Sequence, residues 1–300
     1  MSASYARAIA VTRFELSRRW IITGFFLFAL SSIVTLVNIG GAIFDAGLRL
    51  EFELFLNPVS LLLALMGWWF FTRIQVCDPL QSRALCRGFL AFALQFAVQA
   101  SGEMLRANGL FPINRHNSAF WLTLAGDVVA IVGYLMASGV ARSSGASSST
   151  SVVSKYASVP SSRLICVGYA IIAISFMSVL FYDGVNPLFL AGGVRNDLRT
   201  FTQPVAGLLT AVGWWFLGRL DVRGDEQRKL NRQAFWALGL ALAANAIEEF
   251  IAISAVNGLN HFTRELWIGA IGCVVAAAGF ILTARRPLAL ATSEVIVHSA

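Results

Sequence analysis

The residues with the most chemical interest in this sequence are carboxylates that lie within long apolar stretches. Glu103 and Glu249 each follow an amide side chain by four residues, Gln99 in one case and Asn245 in the other. A spacing of four places two side chains on the same face of a helix. An ionisable group inside a membrane-spanning helix is costly and therefore points to a functional site. These two pairs are the first candidates for binding a cation or carrying a proton.

Two further acids extend this set. Glu248 adjoins Glu249, and Asp127 lies in a different apolar stretch. Two carboxylates that lie close together can share one proton, and they can also bind a cation. We therefore expect Glu103 and Glu249 to meet if their helices face one another. The structural alternative stays open: the glutamates reach towards the outer interface, Glu103 pairs with Arg106 one turn away, and the amides only join helices by hydrogen bonds.

The composition indicates an integral membrane protein. Of the 300 residues, 57% are hydrophobic and 13% are charged, whereas a soluble domain has about 25% charged residues. Apolar runs of about 20 residues, enough to cross a hydrocarbon core of roughly 30 Å, occur eight times. The predicted spans are 20–39, 55–72, 88–105, 120–141, 163–182, 201–218, 234–254 and 266–284. Runs of this length predict helices, so we expect an all-α membrane protein with eight transmembrane helices.

A distinctive phrase occurs twice in the chain. GWWFFTRIQV at 67–76 returns as GWWFLGRLDV at 213–222, an offset of 146 residues, and the same offset pairs Glu103 with Glu249. A register that holds over several helices predicts an internal duplication. Since each half has an even number of spans, the halves share one orientation and form parallel repeats about an axis along the membrane normal. We expect two pseudo-symmetric four-helix bundles side by side.

The domain organisation and the orientation follow from the spans. We expect a tail at 1–19, a first repeat at 20–142, a Ser-rich linker at 143–162, a second repeat at 163–286 and a tail at 287–300.

On the side of the two termini lie 17 of the 23 Lys and Arg residues, and this asymmetry predicts that both termini are cytoplasmic. The net charge of +7 then reflects residues that flank helices and contact the lipid bilayer, rather than nucleic acid binding.

Aromatic and basic residues near the predicted helix ends are interpreted as interface anchors, because Trp and Arg hold helices at the edges of the bilayer. A cation–π contact between one of these arginines and a Trp would add a modest stabilisation. The predicted anchors are Trp68, Trp69 and Arg73 with their counterparts Trp214, Trp215 and Arg219 at the inner interface, and Trp121 and Trp267 at the outer one.

Motifs for cofactor binding and catalysis are missing from the sequence. His116, His261 and His298 lie outside the predicted helices, which argues against haem. Cys77 and Cys86 lie in an inner loop with no His nearby, which argues against zinc. No phosphate-binding loop and no nucleophile–base set is visible. We therefore expect no cofactor and no metal, and these absences favour a non-enzymatic role over an enzymatic one.

Three functions stay open at this stage, and the least favoured is a membrane-embedded enzyme, because its loops are too short to supply much of an active site. The first is a small transporter or channel for a cation or a proton-coupled solute, with its site between the two repeats. The second is a non-catalytic membrane scaffold or a subunit of a larger membrane complex, with membrane-protein partners or further copies of itself. The second is favoured by the small residues Gly126, Gly133, Gly272 and Gly279, which allow helices to approach closely.

Overall fold

The computed structural model describes residues 3–43, 48–74, 79–107, 117–145, 160–183, 194–218, 220, 222, 225–255 and 261–285. Within these ranges the chain is helical and contains no strand. The helices are α1 (Ala3–Ile43), α2 (Leu48–Phe71), α3 (Pro79–Ala107), α4 (Ser118–Gly145), α5 (Pro160–Asp183), α6 (Val194–Leu217), α7 (Asp225–Ala255) and α8 (His261–Ala284). Each predicted span lies within one of these helices, to within a residue at its end.

The predicted tails and linker differ in part from the structure. Helix α1 already begins at Ala3, so most of the segment assigned to the first tail is helical. Helix α4 continues to Gly145 and α5 begins at Pro160, and the middle of the predicted linker lies outside the described residues. The predicted second tail, 287–300, also lies outside them.

Six of the helices are long and apolar enough to cross a membrane. Their apolar segments are Glu15–Val37, Gln81–Met104, Ser118–Arg142, Ser161–Ser178, Asp225–Ile251 and Leu266–Ala284. Helix α2 has a shorter apolar segment, Leu56–Phe71, and α6 begins with the polar sequence VRNDLRT. The described part of the chain is therefore a helical protein of membrane-spanning character, while the count of eight crossing helices stays a prediction.

The principal helix contacts form a closed ring. Around it the order is α1, α4, α3, α6, α5, α8, α7 and α2, which contacts α1 again. Helices α2 and α3 are consecutive in the chain, but among the principal pairs α2 packs on α7 and α3 packs on α6. The two halves are therefore joined along two helix pairs, which differs from the expected pair of separate four-helix bundles. If each helix of the first half is replaced by the helix at the same place in the second half, and the reverse, the principal contacts remain the same. For example, α1–α4 becomes α5–α8, and α2–α7 becomes α6–α3.

Glycines allow the closest helix approaches in this ring. A Cβ built on Gly133 of α4 would lie 2.6 Å from the backbone nitrogen of Ile21 in α1. A Cβ built on Gly279 of α8 would lie 2.6 Å from the backbone nitrogen of Ile165 in α5. Because backbone atoms cannot move aside as side-chain ends can, these two positions require a residue without a side chain.

Two glycines of α4 should respond in opposite ways to the same substitution. Gly133→Ala should lower the free energy of unfolding by about 1–3 kcal/mol, since the new methyl group overlaps the backbone of α1. Gly139→Ala should raise it by about 0.5–1 kcal/mol, the usual gain of Ala over Gly within a helix, because a Cβ on Gly139 would meet no atom within 4 Å. Unfolding in mixed detergent micelles measures both changes, and equal effects would contradict the close contact between α1 and α4.

An aromatic core fills the space between the halves. Trp68 of α2 and Trp214 of α6 are 3% and 1% exposed, and their ring centroids lie 5.5 Å apart. Their neighbours come from α2 itself and from five further helices and pack mostly edge to face, an arrangement that stabilises aromatic pairs. The neighbouring rings are those of Phe25, Phe71, Phe92, Tyr134, Phe235 and Phe280.

The interpretation of both Trp-Trp doublets as anchors therefore needs a correction. Successive residues of a helix lie about 100° apart around its axis, so one Trp of each doublet can face inwards while the next faces outwards. Trp68 and Trp214 face inwards and belong to the aromatic core, where they contact no lipid. Trp69 and Trp215 are 37% and 41% exposed. Only the second member of each doublet has the exposure that an anchor requires, and its anchoring role stays a prediction.

The expected cation–π contact is confirmed for Arg73. Its guanidinium carbon lies 4.4 Å from the ring centroid of Trp69, and that of Arg18 lies 5.4 Å from the same ring. The guanidinium groups of Arg18 in α1 and of Arg73 in the turn after α2 thus both lie over the ring of one exposed Trp. Arg219, the counterpart of Arg73, lies outside the described residues.

The two predicted outer anchors lie on α4 and α8. Trp267 is exposed, and its ring centroid lies 5.7 Å from that of Phe250 on α7. Trp121 is half-buried and packs edge to face on Phe120. A partly exposed ring at such a position is compatible with anchoring, which stays a prediction for both residues.

Candidate functional site

A cavity of about 450 Å³ opens among α1, α2, α3, α4 and α6. Three of the predicted site residues, Gln99, Glu103 and Asp127, line it, and we name it the acidic cavity. Its volume lies within the range of small-molecule sites, which is about 300–1,000 Å³. Hydroxyl and amide groups complete the polar part of the lining, including those of Ser31, Asn57, Gln95, Thr123 and Gln203.

Asp127 is the most unusual group of this cavity. Its side chain is 2% exposed, and its Oδ2 atom has no hydrogen-bond partner among the described residues. Glu103 lies close enough to act on it electrostatically. A buried polar atom without a partner is rare in proteins and calls for an explanation such as a bound ion, proton or water. Asp127 is therefore the first candidate for a binding group among the described residues of this cavity.

Hydrogen bonds between side chains fix the walls around the carboxylates. The hydroxyl of Ser31 on α1 donates to the carbonyl oxygen of Ala119 at 2.6 Å and lies 2.8 Å from the hydroxyl of Thr123 on α4. On α3, Nε2 of Gln95 donates to Oε1 of Gln99 at 2.6 Å. These contacts hold α1 against α4 and give the amide of Gln99 one fixed partner.

A second cavity, of about 310 Å³, lies between the two halves. Gln95, Gln99 and Gln203 line both cavities, so the two spaces are contiguous. Asn245 of α7 lines the second cavity only. We name this second cavity the amide cavity after its four amide side chains, those of Gln95, Gln99, Gln203 and Asn245. Trp68 and Trp214 of the aromatic core also belong to its lining.

The structure brings Gln99 and Asn245 to one cavity but does not bring the two glutamates together there. Glu103 lines the acidic cavity, and neither it nor Glu249 lines the amide cavity between the halves. Glu249 lies instead beside α8, where a Cβ built on Gly269 would be 3.6 Å from its Oε1 atom. The condition for a meeting of Glu103 and Glu249, that both face the axis between the halves, is therefore not fulfilled, because each lies towards the fourth helix of its own half.

The second half has a different set of acids. Cys273 stands in α8 where the sequence register places Asp127 in α4, and both Glu248 and Glu249 act on it electrostatically. The first half has Gly102 in place of Glu248, and the side chain of Thr202 on α6 occupies the space where a Cβ of Gly102 would be. The two halves thus differ in their polar chemistry, and the buried carboxylate belongs to the first.

Several features of the site were not predicted from the sequence. Gln95 and Gln203 line both cavities, and Asn57 lines the acidic one. Asn57 and Gln203 are polar residues in apolar helices and occupy equivalent places at the offset of 146, a signal that could have revealed them. Arg106, the salt-bridge partner considered for Glu103, has a side chain outside the described part of the chain.

Fold and site together define a class: an all-helical protein of membrane-spanning character with a polar, partly acidic cavity inside its helix ring. A scan against protein-family models, a search of the curated proteins and a search of the solved structures found no match to this chain. Among the described residues, no group of three or more His, Cys, Asp and Glu side chains is placed to hold a metal ion. The functional inference therefore depends on the chemistry of the cavities.

Proposed function

We propose that this protein is a small membrane transporter or channel for a cation or a proton-coupled solute. The observation that carries the proposal is the buried carboxylate of Asp127, whose Oδ2 atom lacks a partner among the described residues and which lines the acidic cavity. Ionisable groups inside membrane helices mark ion pathways and proton relays. Glu103 supplies a second acid nearby, and two neighbouring carboxylates can hold one proton between them.

Internal duplication is part of this proposal. The offset of 146 residues between the repeated phrases supports it, and so do the helix contacts, in which every pair of one half has a counterpart in the other. Transporters built from repeats bind their substrates where the repeats meet, which is the location of the amide cavity. The distribution of Lys and Arg supports an orientation with both termini in the cytoplasm.

One argument for the scaffold alternative was that the small-residue faces of α4 and α8 are open to a partner. Gly126 and Gly133 instead face α1, and Gly272 and Gly279 face α5, within the same chain. The short predicted loops and the missing catalytic motifs still support that alternative.

Reconstitution in liposomes tests the proposed function. Vesicles with the purified protein receive an inward gradient of protons, Na⁺ or K⁺, with and without a protein-free small-molecule extract of the expressing cells, and trapped dyes report entry. We expect entry of one of these ions to exceed that in protein-free vesicles. If no ion enters faster, and the detergent-extracted protein is found only within a large complex, the transporter proposal is wrong and the scaffold alternative is correct.

A further inference from the structure

We propose that the amide cavity binds an uncharged, planar solute that carries hydrogen-bond donors and acceptors, while the carboxylates of the acidic cavity hold the coupling proton or cation. The assignment of the coupling proton or cation to the carboxylates rests on the proposed function. The solute site itself is inferred only from the lining of the amide cavity.

The lining of the amide cavity excludes charged solutes. It contains no carboxylate, ammonium, guanidinium or imidazole group from the described residues. A charged solute in this cavity would lose its hydration without gaining a counter-charge, and such a transfer is strongly unfavourable. An uncharged solute does not carry this penalty.

The aromatic residues of the lining favour a flat solute. Trp68, Phe92 and Trp214 of the aromatic core border the cavity but are at most 3% exposed, whereas Tyr169 of α5 is half-buried and can present its ring to a solute. The planes of the two indole rings are inclined by 34°, and the side chain of Tyr169 lies within hydrogen-bonding reach of that of Trp214. Aromatic faces pack well against planar groups and contribute to binding beyond the area that they cover.

The amide side chains require a solute with both donors and acceptors. Gln95, Gln99, Gln203 and Asn245 each carry an NH₂ group with two donors and a carbonyl oxygen that accepts. The described Gln95–Gln99 hydrogen bond engages one donor of Gln95 and the carbonyl oxygen of Gln99. A carboxamide, a lactam or a nitrogen heterocycle presents complementary groups in one plane, and a site built for such groups discriminates strongly against analogues that lack them.

Gln99 links the solute to the carboxylates. It lines both cavities, and Glu103 follows it by one helical turn on the same face of α3. A change in the charge at Glu103 therefore acts one turn from a residue that lines the solute site, and Asp127 lies near Glu103 on the neighbouring helix.

Three probes of nearly the same shape test the proposed solute class. Benzamide is neutral, benzoate is an anion and benzamidinium is a cation. With the full-length protein in lipid nanodiscs, calorimetry and Trp fluorescence should show benzamide binding at least about tenfold more tightly than either ion, a factor equivalent to about 1.4 kcal/mol. If benzamide does not bind, or if either ion binds as tightly, the inference is overturned.

Variants of α7 locate the site. Asn245→Leu should weaken benzamide binding about tenfold, through the loss of one or two hydrogen bonds, and Asn245→Asp should reverse the preference towards benzamidinium. Asn231→Leu makes the same change on the same helix away from both cavities and should leave the affinity unchanged. Equal affinities of Asn245→Leu and wild type would also overturn the inference.

The two proposals can fail separately. Benzamide binding without any ion entry in the liposome experiment would refute the transport function and leave the solute site in place. Ion entry without benzamide binding would refute the solute site and leave the transport function in place.

Discussion

Asp127→Asn should abolish the ion entry that the reconstituted wild-type protein supports. An amide has nearly the same shape as a carboxylate but carries no charge and no exchangeable acidic proton. The loss of one charged contact in a buried site corresponds to about 2.7 kcal/mol, and hence to about a hundredfold loss in cation or proton affinity. Glu103→Gln should reduce entry less, because Asp127 still provides the buried carboxylate.

The matched control for this change lies on α7. Asp225 is exposed in the first turn of that helix, so Asp225→Asn makes the same chemical change away from the cavities and should preserve entry. Asp127→Asn should not weaken folding, since the amide has nearly the same shape as the carboxyl group and buries no charge. Entry at the wild-type rate with Asp127→Asn, in vesicles with the same protein content, would show that this carboxylate is not the binding group.

Trp214→Ala should destabilise the protein by roughly 3 kcal/mol or more. Its side chain packs against five rings of the aromatic core, those of Trp68, Phe71, Phe92, Phe235 and Phe280, at centroid distances of 4.8 to 6.0 Å. Since the helices are already in lipid, most of the loss comes from van der Waals contacts and the resulting cavity rather than from exposure to water. Unfolding in mixed micelles, followed by circular dichroism, measures the change.

The neighbouring residue provides the control. Trp215→Ala removes an equally large side chain from an exposed position on the same helix, and it should cost less than about 1 kcal/mol. Similar losses for the two variants would mean that Trp214 is not part of a packed core between the halves.

The sequence predicted the helices well because an apolar run is a local property. Each of the eight predicted spans falls within one helix of the structure. The length of an apolar run depends only on neighbouring residues and on the thickness of the bilayer. The close packing of Gly133 and Gly279 was also visible in the sequence, as small residues at helical spacing.

The direction of individual side chains could not be predicted from the same information. Trp68 and Trp69 are identical residues at adjacent positions, and only the location of the neighbouring helices decides which of them faces inwards. That location depends on the contacts α2–α7 and α3–α6, which join residues far apart in the chain. For this reason the prediction placed both members of each doublet at the interface, although one belongs to the core.

The candidate site shows the same division between local and distant information. Asp127 and Glu103 were both recognised as unusual because they are acids in apolar helices. Their proximity depends on the contact between α3 and α4, whereas the sequence register suggested that Glu103 pairs with Glu249. The register identified equivalent residues, but equivalent residues meet only if they face the axis between the halves, and among the candidates Gln99 and Asn245 do so.

Cysteine labelling tests the central claim, a polar pathway within the helix ring, most directly. The experiment uses a protein without the 4 native cysteines. In it, Gln99→Cys places a thiol at a position that lines both cavities, and Leu94→Cys places one on the exposed apolar face of the same helix. Only a hydrated thiolate reacts with a membrane-impermeant thiosulfonate. We expect Gln99→Cys in vesicles, treated on both sides, to react much faster than Leu94→Cys. Equal, slow reaction at both positions would show that the cavities exclude water and would contradict the proposed transport function.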